Sequence, residues 1–417
     1  MGKSLLISSA SSIALSSGDE ANWFGYQTDS ATEANSQVSC TENATFSNIR
    51  SRIISGNSGT ATFRFRDAGA NGNQSFQITS TGTNEDATNT DILTAGDLFN
   101  LGYTDTGTNS TCSWQAANVT FSSGHGNFHG AGRFSGTVLD LASSTRFLAL
   151  AGGINTDGES VEDNVEWKVR NYDSFEALQV RVSANARTNN SDFRNRINGG
   201  NGSLLCQFTS GATGLISDTS PADAITDGQT INASITLDTG LEDLTIVFIA
   251  GTLKSSASES EIWCHSSTGV ARAASATAEY SMIGGWLNNL ATSEAEARIK
   301  PGFAAVVSNL RCYLSANTYT VNGTLKLFQN GSAVMTTTIT LLGGAGWYEN
   351  TSDTITIDAD DELSFEFDEG TTGDITIHSV GITFAPIAGG GAVLPPFTYT
   401  DLSGIGSSGR FRQDRLN

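Results

Sequence analysis

Apolar residues occupy alternate positions in three short segments of the chain, and the segments follow one another at intervals of 132 residues. Each segment comes after a polar turn, and the alternating residues are Phe99, Leu101 and Tyr103, then Ile231, Ala233 and Ile235, then Leu363, Phe365 and Phe367. A period of two is typical of a β-strand that buries one face. The pattern therefore predicts the same half-buried strand three times.

A second string recurs with nearly the same spacing, at residues 46–53, 175–182 and 307–314, with offsets of 129 and 132 residues. Its central apolar positions are Ile49, Leu178 and Leu310, which we expect to lie in equivalent cores. Offsets of this length exceed those of solenoid repeats and match the size of a whole domain. One β-rich unit is therefore predicted to occur three times.

A strand pair is also predicted in each unit, around residues 63–65, 193–195 and 325–327. Its turns are expected at Asn71-Gly72, Asn198-Gly199 and Asn330-Gly331, because Asn-Gly suits tight hairpin turns. Helix signals are scarce and confined to residues 291–298 and parts of 255–279. These patterns predict an all-β fold, with three tandem antiparallel β-sandwich (jelly-roll-like) domains plus an extended C-terminal arm.

The composition of the intervening segments gives the expected domain boundaries. Residues 124–139 are Gly-rich and residues 255–274 are Ser/Ala-rich, so both segments are predicted to be linkers. The β-sandwich repeats are then expected at residues 1–123, 140–254 and 275–386, and the extended arm at residues 387–417.

The charge balance excludes two classes of partner. The formal net charge is −21, with 38% hydrophobic and 16% charged residues. Nucleic acid and anionic membrane surfaces both attract Lys and Arg, so we expect neither as a partner. The abundance of Gly, Ser, Thr and Asn is typical of extracellular or virion β proteins.

Five cysteines occupy no common position in the three repeats: Cys40, Cys112, Cys206, Cys264 and Cys312. A disulfide framework would recur with the domain, so we expect reduced, buried thiols. Reduced thiols are typical of proteins assembled in a cytoplasm.

The acidic run at residues 358–362 has two interpretations. Hard cations bind several oxygens, so a calcium site is one of them. Acidic residues and Gly also suit a turn, and the equivalent segments 95–97 and 227–229 carry Gly in place of the full run. We therefore predict a turn, with no metal and no cofactor in the protein.

No catalytic residue is predicted either. His125 and His129 are spaced by four, as in helical metal-binding pairs, but three neighbouring glycines oppose a helix, so a solvated or packed histidine is expected. Residues 404–409 match the glycine spacing of a dinucleotide fingerprint without its strand–turn–helix context. No Gly-x-Ser-x-Gly nucleophile elbow is present, and nothing distinguishes a pair of carboxylates for sugar cleavage.

One acid recurs at the same place in every repeat, as Glu33, Glu162 and Glu294. Because three catalytic sites in one chain are improbable, we predict a structural role. These carboxylates would accept hydrogen bonds from a loop backbone or pair with Arg50, Arg181 or Arg311.

The arm is the best candidate for an assembly contact. It is mildly basic on an acidic chain, and its candidate contact residues are Phe397, Tyr399, Arg410, Phe411, Arg412 and Arg415. A Gly/Pro-rich arm orders only against something else, so we predict contact with another subunit, for instance by strand addition.

The repeated motifs resemble a module of tailed-bacteriophage virion surface proteins of the decoration, fibre or tail-appendage type. The matching segments are Gly152-Gly153, Thr32-Glu33-Ala34, Ser308-Asn309-Leu310-Arg311, Phe328-Gln329-Asn330-Gly331 and Ala95-Gly96-Asp97. The resemblance covers all three repeats and leaves the arm unmatched. It implies a structural or adhesive β-sandwich with no family active site.

Together these observations favour a non-enzymatic structural protein on the surface of a phage particle, assembled in the host cytoplasm. The expected partners are other capsid or tail subunits and further copies of the chain, as in a trimer, with a host-surface glycan as an additional candidate. The alternatives are a secreted bacterial adhesin or glycan-binding protein and a sugar-cleaving enzyme. Tryptophans such as Trp23, Trp167, Trp263 and Trp286 could stack on sugars, although Trp more often lies in sandwich cores.

Overall fold

The structure is a computed structural model that describes residues 3–387, except for 16–19, 22–24, 27–28, 31–32, 56–60, 105–109, 124–125, 134–144, 155–157, 238–242, 274–277, 288–290, 292, 342 and 369–371. Residues 388–417, which include almost all of the predicted arm, lie outside the described residues. Strands dominate the rest, which confirms the all-β fold class.

Repeat 1 contains eleven described strands: β1 Ser4–Leu15, β2 Glu20–Ala21, β3 Gly25–Tyr26, β4 Asp29–Ser30, β5 Val38–Ser39, β6 Ala44–Ser55, β7 Thr62–Asp67, β8 Ala70–Gln77, β9 Gly82–Leu93, β10 Leu98–Thr104 and β11 Ser110–Phe121. A short 3-10 helix, Glu33–Asn35, precedes β5.

Repeat 2 has the equivalent set of described strands: β12 Gly126–Arg133, β13 Thr145–Leu148, β14 Gly152–Ile154, β15 Trp167–Lys168, β16 Ser174–Asn185, β17 Ser191–Ile197, β18 Gly200–Phe208, β19 Gly214–Asp218, β20 Asp223–Ala224, β21 Thr230–Leu237 and β22 Leu244–Lys254. Its 3-10 helix is Glu162–Val165.

Repeat 3 replaces the 3-10 helix with a single α-helical turn, α1 Glu294–Ala297, within the segment where a helix was expected. Its described strands are β23 Ser260–Ala273, β24 Glu279–Ser281, β25 Gly285–Trp286, β26 Ala305–Asn317, β27 Gly323–Gln329, β28 Ser332–Leu341, β29 Gly346–Ile357, β30 Leu363–Asp368 and β31 Asp374–Pro386.

Two packed sheets per repeat give a jelly-roll topology. In repeat 1 the sheet orders are β3-β1-β11-β6-β9 and β4-β2-β10-β7-β8, so the chain crosses between the sheets at nearly every connection. Repeats 2 and 3 follow the same order, and the sheets equivalent to that of β1 are β14-β12-β22-β16-β19 and β25-β23-β31-β26-β29. Pairing of β14 with β23 joins these two sheets into one of eleven strands.

The predicted linkers are wrong for their described parts. Residues 126–133 form β12, which pairs with β22, and residues 260–273 form β23, which pairs with β31. Each is the first strand of its repeat, equivalent to β1.

The hydrophobic cores contain the alternating apolar residues, but the three strands are buried on both faces rather than one, since Asn100, Asn232 and Ser364 are also buried. Ile49, Leu178 and Leu310 are all 0% exposed, as expected for equivalent core positions. The cores are not closed units, because each borrows side chains from a neighbouring repeat. Trp114 of repeat 1 lies in the core of repeat 3, and Trp263 of repeat 3 lies in the core of repeat 2.

The hairpin turns agree with the prediction in repeats 2 and 3. Asn198 and Asn330 have φ of 49° and 53°, each followed by a Gly with positive φ. In repeat 1 the prediction of Asn71-Gly72 is wrong, because the turn lies at Ala68 and Gly69, with φ of 47° and 85°. Gly69 adopts its left-handed conformation without strain, whereas Ala68 occupies the position that Asn fills in the other two repeats.

Candidate functional site

The first strands of the three repeats meet at the centre of the molecule. Each of the short strands β3, β14 and β25 pairs in parallel with the first strand of its own repeat. Each also contacts the first strand of the next repeat, so that β3 touches β12, β14 touches β23 and β25 touches β1. Because each repeat makes this contact with the next repeat, the three contacts close a ring with approximate threefold symmetry.

A small cavity lies at this centre, and all three repeats line it. Its walls include Leu5 and Ile7 of β1, Phe128 and His129 of β12, and Trp263 of β23. The cavity volume is about 30 Å³, enough for one or two water molecules. The space is therefore too small for an organic ligand without rearrangement.

A second set of equivalent contacts surrounds the centre. Positions 50, 179 and 311 are equivalent in the repeated core strand, and so are positions 39, 168 and 300 in the segment after the short helix, which forms β5 in repeat 1 and β15 in repeat 2. Arg50 Nε donates to Lys300 O over 2.7 Å, Gln179 Nε2 to Ser39 O over 2.8 Å, and Arg311 Nε to Lys168 O over 2.8 Å. Each repeat therefore binds a main-chain carbonyl of another repeat with the same side-chain position.

A local backbone feature aims the two arginines. Asn48 and Asn309 have φ of 50° and 54°, at register shifts in β6 and β26. Asn tolerates this left-handed conformation, and the bulge re-aims the following residues. Arg50 and Arg311 then donate through Nη1 to the carbonyls of Asn48 and Asn309 over 2.7 and 2.8 Å.

Two of the three junctions are also held by charge. Lys300 of repeat 3 pairs with Glu85 of repeat 1 over 3.0 Å. Lys168 of repeat 2 pairs with Glu349 of repeat 3 over 3.2 Å. At the third junction the equivalent positions are Ser39 and Ser217. The junction between repeats 1 and 2 therefore has two uncharged serines where each of the other junctions has a Lys–Glu ion pair.

The junction of repeats 2 and 3 contains a buried ion pair. Arg311 Nη2 lies 2.6 Å from Glu261 Oε2, with both side chains almost fully buried. Glu261 also accepts hydrogen bonds from Trp263 Nε1 and the Arg170 amide, and the Arg311 guanidinium lies 4.4 Å from the Trp263 ring centroid. Burial raises the pKa of Glu261 to about 7, although Arg311 opposes this change.

His129 is packed rather than solvated, which is one of the two expected outcomes. Its Nε2 lies 2.7 Å from Tyr172 Oη, which also accepts a hydrogen bond from the Glu261 amide over 3.0 Å. Tyr172 Oη therefore links His129 to the backbone of β23, and the tautomer of His129 decides which of the two side chains donates. Burial lowers the pKa of His129 to about 3, so the ring is neutral at ordinary pH.

The recurrent acids each pair with an arginine, but not with those that the sequence suggested. Glu33 binds Arg66 over 2.9 Å and Glu162 binds Arg196. Arg66 also donates to Gly69 O in the hairpin turn, as Arg196 does to Gly199 O. These pairs therefore tie the short helix to the hairpin turn within one repeat.

Repeat 3 forms the same kind of ion pair with an arginine from a different position in the sequence. Phe328 replaces the strand arginine, and Arg298, four residues after Glu294, supplies the guanidinium. The arginines that the sequence suggested as partners have other contacts. Arg50 and Arg311 lie at the junctions between repeats, and Arg181 Nη1 donates to Gln37 O. The three recurrent acids thus serve three separate braces and do not form a common site.

The acidic run at residues 358–362 forms a turn in the structure. The Asp358 amide donates to Asp361 Oδ2 over 2.7 Å. Lys300 pairs with Asp360 and Arg298 with Glu362. Among the described residues, no group of three or more His, Cys, Asp or Glu is placed to hold a metal ion.

The remaining sequence candidates fall into two groups. Trp167 and Trp263 are buried and stack on each other with ring centroids 5.3 Å apart, so they do not present a face to a sugar. Trp23, the Trp286 side chain and all six candidate residues of the arm lie outside the described residues. All five cysteines are described and buried, and none of them forms a disulfide.

Sequence reasoning missed the junction. Arg50 and Arg311 did carry a signal, because an arginine recurs in the middle of a predicted core strand, where a charge needs a partner. Glu261 and Trp263 carried none, since their segment was interpreted as a linker.

No described helix is long and apolar enough to span a membrane.

Comparisons with known proteins give no family. No protein-family description matches the sequence, and no curated protein matches it. Among solved structures, the chain is similar to one described as "The Triple Jelly Roll Fold and Turret Assembly in an Archaeal Virus", with 12% identity, 84% of this chain and 81% of that chain covered, and a TM-score of 0.19. A structure of Sulfolobus turreted icosahedral virus has 14% identity, the same coverage and a TM-score of 0.20.

A third structure is the major capsid protein of bacteriophage PM2, with 10% identity, 64% of this chain and 100% of that chain covered, and a TM-score of 0.17. These TM-scores are too low for the similarity to support an inference about function.

Proposed function

We propose that the chain is a non-enzymatic structural protein of a virus particle, which acts on the particle surface through protein–protein contacts. The observation that carries this proposal is the ring junction. Its specialised side chains, Arg50, Gln179, Arg311 and Glu261, are directed at other repeats of the same chain. Such an arrangement holds three jelly rolls in a defined relative geometry, which is the property that a building block of a symmetric assembly needs.

The path of the chain supports an external role for the arm. After β11 the chain enters repeat 2 as β12, and after β22 it enters repeat 3 as β23. The equivalent position after β31 is already filled by β1 of repeat 1. The arm therefore has no equivalent position to enter in the ring, and we propose that it binds a neighbouring subunit.

The starting point of the arm agrees with this proposal. The Ile387 amide donates to Ala304 O over 3.0 Å, close to Gly302, whose carbonyl accepts a hydrogen bond from Asn118 of repeat 1. The arm thus begins beside the seam of repeats 1 and 3. Its aromatic residues would anchor it, and its arginines would bind carboxylates through their planar forks.

Purified particles test the main proposal. Particles from the source culture are separated on a density gradient, and the chain is quantified in each fraction by mass spectrometry. We expect it to co-sediment with intact particles at a constant ratio to the other virion proteins, and antibodies against it to label the particle surface. A chain confined to particle-free fractions contradicts the proposal.

A shortened chain tests the arm. A chain ending at Pro386 should melt at nearly the full-length temperature and yet bind particles or other copies poorly. A full-length variant with Arg410, Arg412 and Arg415 replaced by Gln is the matched control for charge, and the binding of the unaltered chain should weaken with salt. Undiminished binding of the shortened chain, or unfolding of repeat 3, contradicts the proposed role of the arm.

A further inference from the structure

Two bulges face each other on neighbouring strands of repeat 3. The register between β26 and β31 shifts on either side of Leu314, and the extra residues are Ser315 of β26 and His378 of β31. A β-bulge re-aims its side chain, and bulges are common beside active sites. The two bulges therefore bring a hydroxyl and an imidazole together.

The hydrogen bonds of these two side chains fix the tautomer of the neutral imidazole. His378 Nε2 lies 2.9 Å from Ser315 Oγ, and His378 Nδ1 lies 3.1 Å from Ser266 O. Because a carbonyl oxygen only accepts, Nδ1 carries the proton of the neutral ring, and Nε2 accepts from the Ser315 hydroxyl. A serine that donates to an oriented histidine is the arrangement in which a base activates a nucleophile.

The jelly roll does not require a Ser–His pair at this place. The same two bulges occur in repeats 1 and 2. Their extra residues are Ile54 and Ser113 in repeat 1, and Ser183 and Val247 in repeat 2. Neither of these combinations contains a base. The pair in repeat 3 is therefore a local specialisation and not a condition for forming the fold.

The pair lies at the edge of the solvent-exposed surface. Ser315 is partly exposed, whereas His378 is buried behind it. Gly269 of β23 is also partly exposed, and a Cβ atom there would lie 2.8 Å from His378 Nε2. The glycine thus leaves space beside the nitrogen that would take the proton. Because both reacting groups are at least partly buried, a small acyl group fits this site better than a large one.

We propose that Ser315 is a modification site that accepts a small acyl group from an activated ester, with His378 as its base. Ser315 Oγ attacks the carbonyl carbon of the ester, and the hydroxyl proton passes to His378 Nε2. The bond from that carbon to the leaving oxygen then breaks, and the leaving oxygen takes the proton from Nε2. The products are O-acylated Ser315, a free alcohol and neutral His378. This step occurs once per chain without turnover, so it adds to the structural role proposed above.

Acetylation by p-nitrophenyl acetate tests the site in the full chain. Peptide mass spectrometry over a time course gives the rate at each serine. Ser183 is the matched control within the same molecule, because it is an exposed serine at the equivalent bulge of repeat 2, where Val247 replaces the histidine. We expect Ser315 to be acetylated about 100-fold faster than Ser183, since a positioned general base contributes at least that factor. Equal rates at the two serines overturn the proposal.

The variant His378→Asn separates base catalysis from the local surroundings of Ser315. The Asn amide retains a donor for Ser266 O but has no imidazole to take the proton. Acetylation of Ser315 should fall to about the rate of Ser183 in this variant, with circular dichroism as the check on its fold. A rate that stays at the wild-type value overturns the proposal. If the variant fails to fold, the comparison of Ser315 with Ser183 in the unaltered chain decides by itself.

Discussion

Repeat 1 and the joined repeats 2 and 3 use the same jelly-roll positions to close one ring, but they satisfy the buried arginine differently. Arg311 meets a buried carboxylate, Glu261, in addition to a carbonyl. Arg50 is equally buried and meets oxygens without a formal charge, at Lys300, Pro301, Asn118 and Asn48. Burial accordingly lowers the pKa of Arg50 to about 9.

The difference shows how a repeated position can diverge without loss of the fold. A cation directed at main-chain carbonyls depends only on the path of the neighbouring loop, so it tolerates sequence change in that loop. A buried ion pair depends on both side chains, and removing one leaves an uncompensated charge. The junction of repeats 2 and 3 is therefore the more sensitive of the two to single substitutions.

The largest effect is expected from Glu261→Ala. Above pH 7, where Glu261 is ionised, this change leaves Arg311 buried without its counter-ion and should lower the free energy of unfolding by about 3–5 kcal/mol. Denaturant unfolding measures it. Lys254→Ala, at a partly exposed pair with Glu176, is the control and should change stability by less than about 1 kcal/mol. If both changes lowered the free energy of unfolding equally, the buried ion pair would not make the junction of repeats 2 and 3 especially sensitive to substitution.

Core truncations in the two regions should lower stability by about 2–5 kcal/mol each. Ile49→Ala affects repeat 1, and Leu310→Ala affects repeat 3; both residues are fully buried. If repeat 1 is the more separable part, calorimetry should show that Ile49→Ala lowers one transition and leaves a second one unchanged. A single transition shifted equally by both variants contradicts the separation. A change below about 0.5 kcal/mol would contradict the strand register itself.

Glu261 and His129, which are both buried at the centre, should change the stability with pH in opposite directions. Burial raises the pKa of Glu261 from 4.5 to about 7, so its contribution to stability is complete below pH 4.5 and is lost as the pH rises through 7. Burial lowers the pKa of His129 from 6.5 to about 3, so its contribution is present above pH 6.5 and is lost as the pH falls through 3.

Unfolding measured from pH 3 to pH 8 tests these opposite signs. Glu261→Gln should flatten the dependence between pH 4.5 and 7, and His129→Gln should flatten it between pH 3 and 6.5. A Glu261→Gln profile that runs parallel to that of the wild type would show that this carboxyl does not titrate as expected.

The smallest effect is expected from Glu33→Gln. The Glu33–Arg66 pair is only partly buried, so its loss should lower stability by about 0.5–1 kcal/mol. Arg66→Gln should have a similar effect, and the double variant should add little to either, because the two residues act on each other. Strictly additive effects would show that the recurrent acid has another role.

The fold class and the core positions could be predicted from local patterns. Phe99, Leu101 and Tyr103 alternate because successive side chains of a strand point to opposite faces, and all three are buried, as is the polar Asn100 on the other face. The linker prediction was wrong because composition reports side-chain character rather than packing. Gly269 illustrates this, since it lies in β23 and a Cβ atom there would lie 2.5 Å from Thr376 Cγ2 of β31. A glycine required by contact with another strand looks in the sequence like a glycine of a loop.

The sequence by itself determined that one β unit occurs three times, because alternation and turn chemistry depend on neighbours along the chain. Only the tertiary structure decided that the three units close into a ring. Arg50 reaches a carbonyl 250 residues away along the chain, and a main-chain carbonyl carries no residue-specific signal in the sequence. Contacts of this kind depend on where whole sheets are placed, and that placement follows from the packing of β1, β12 and β23 at the centre.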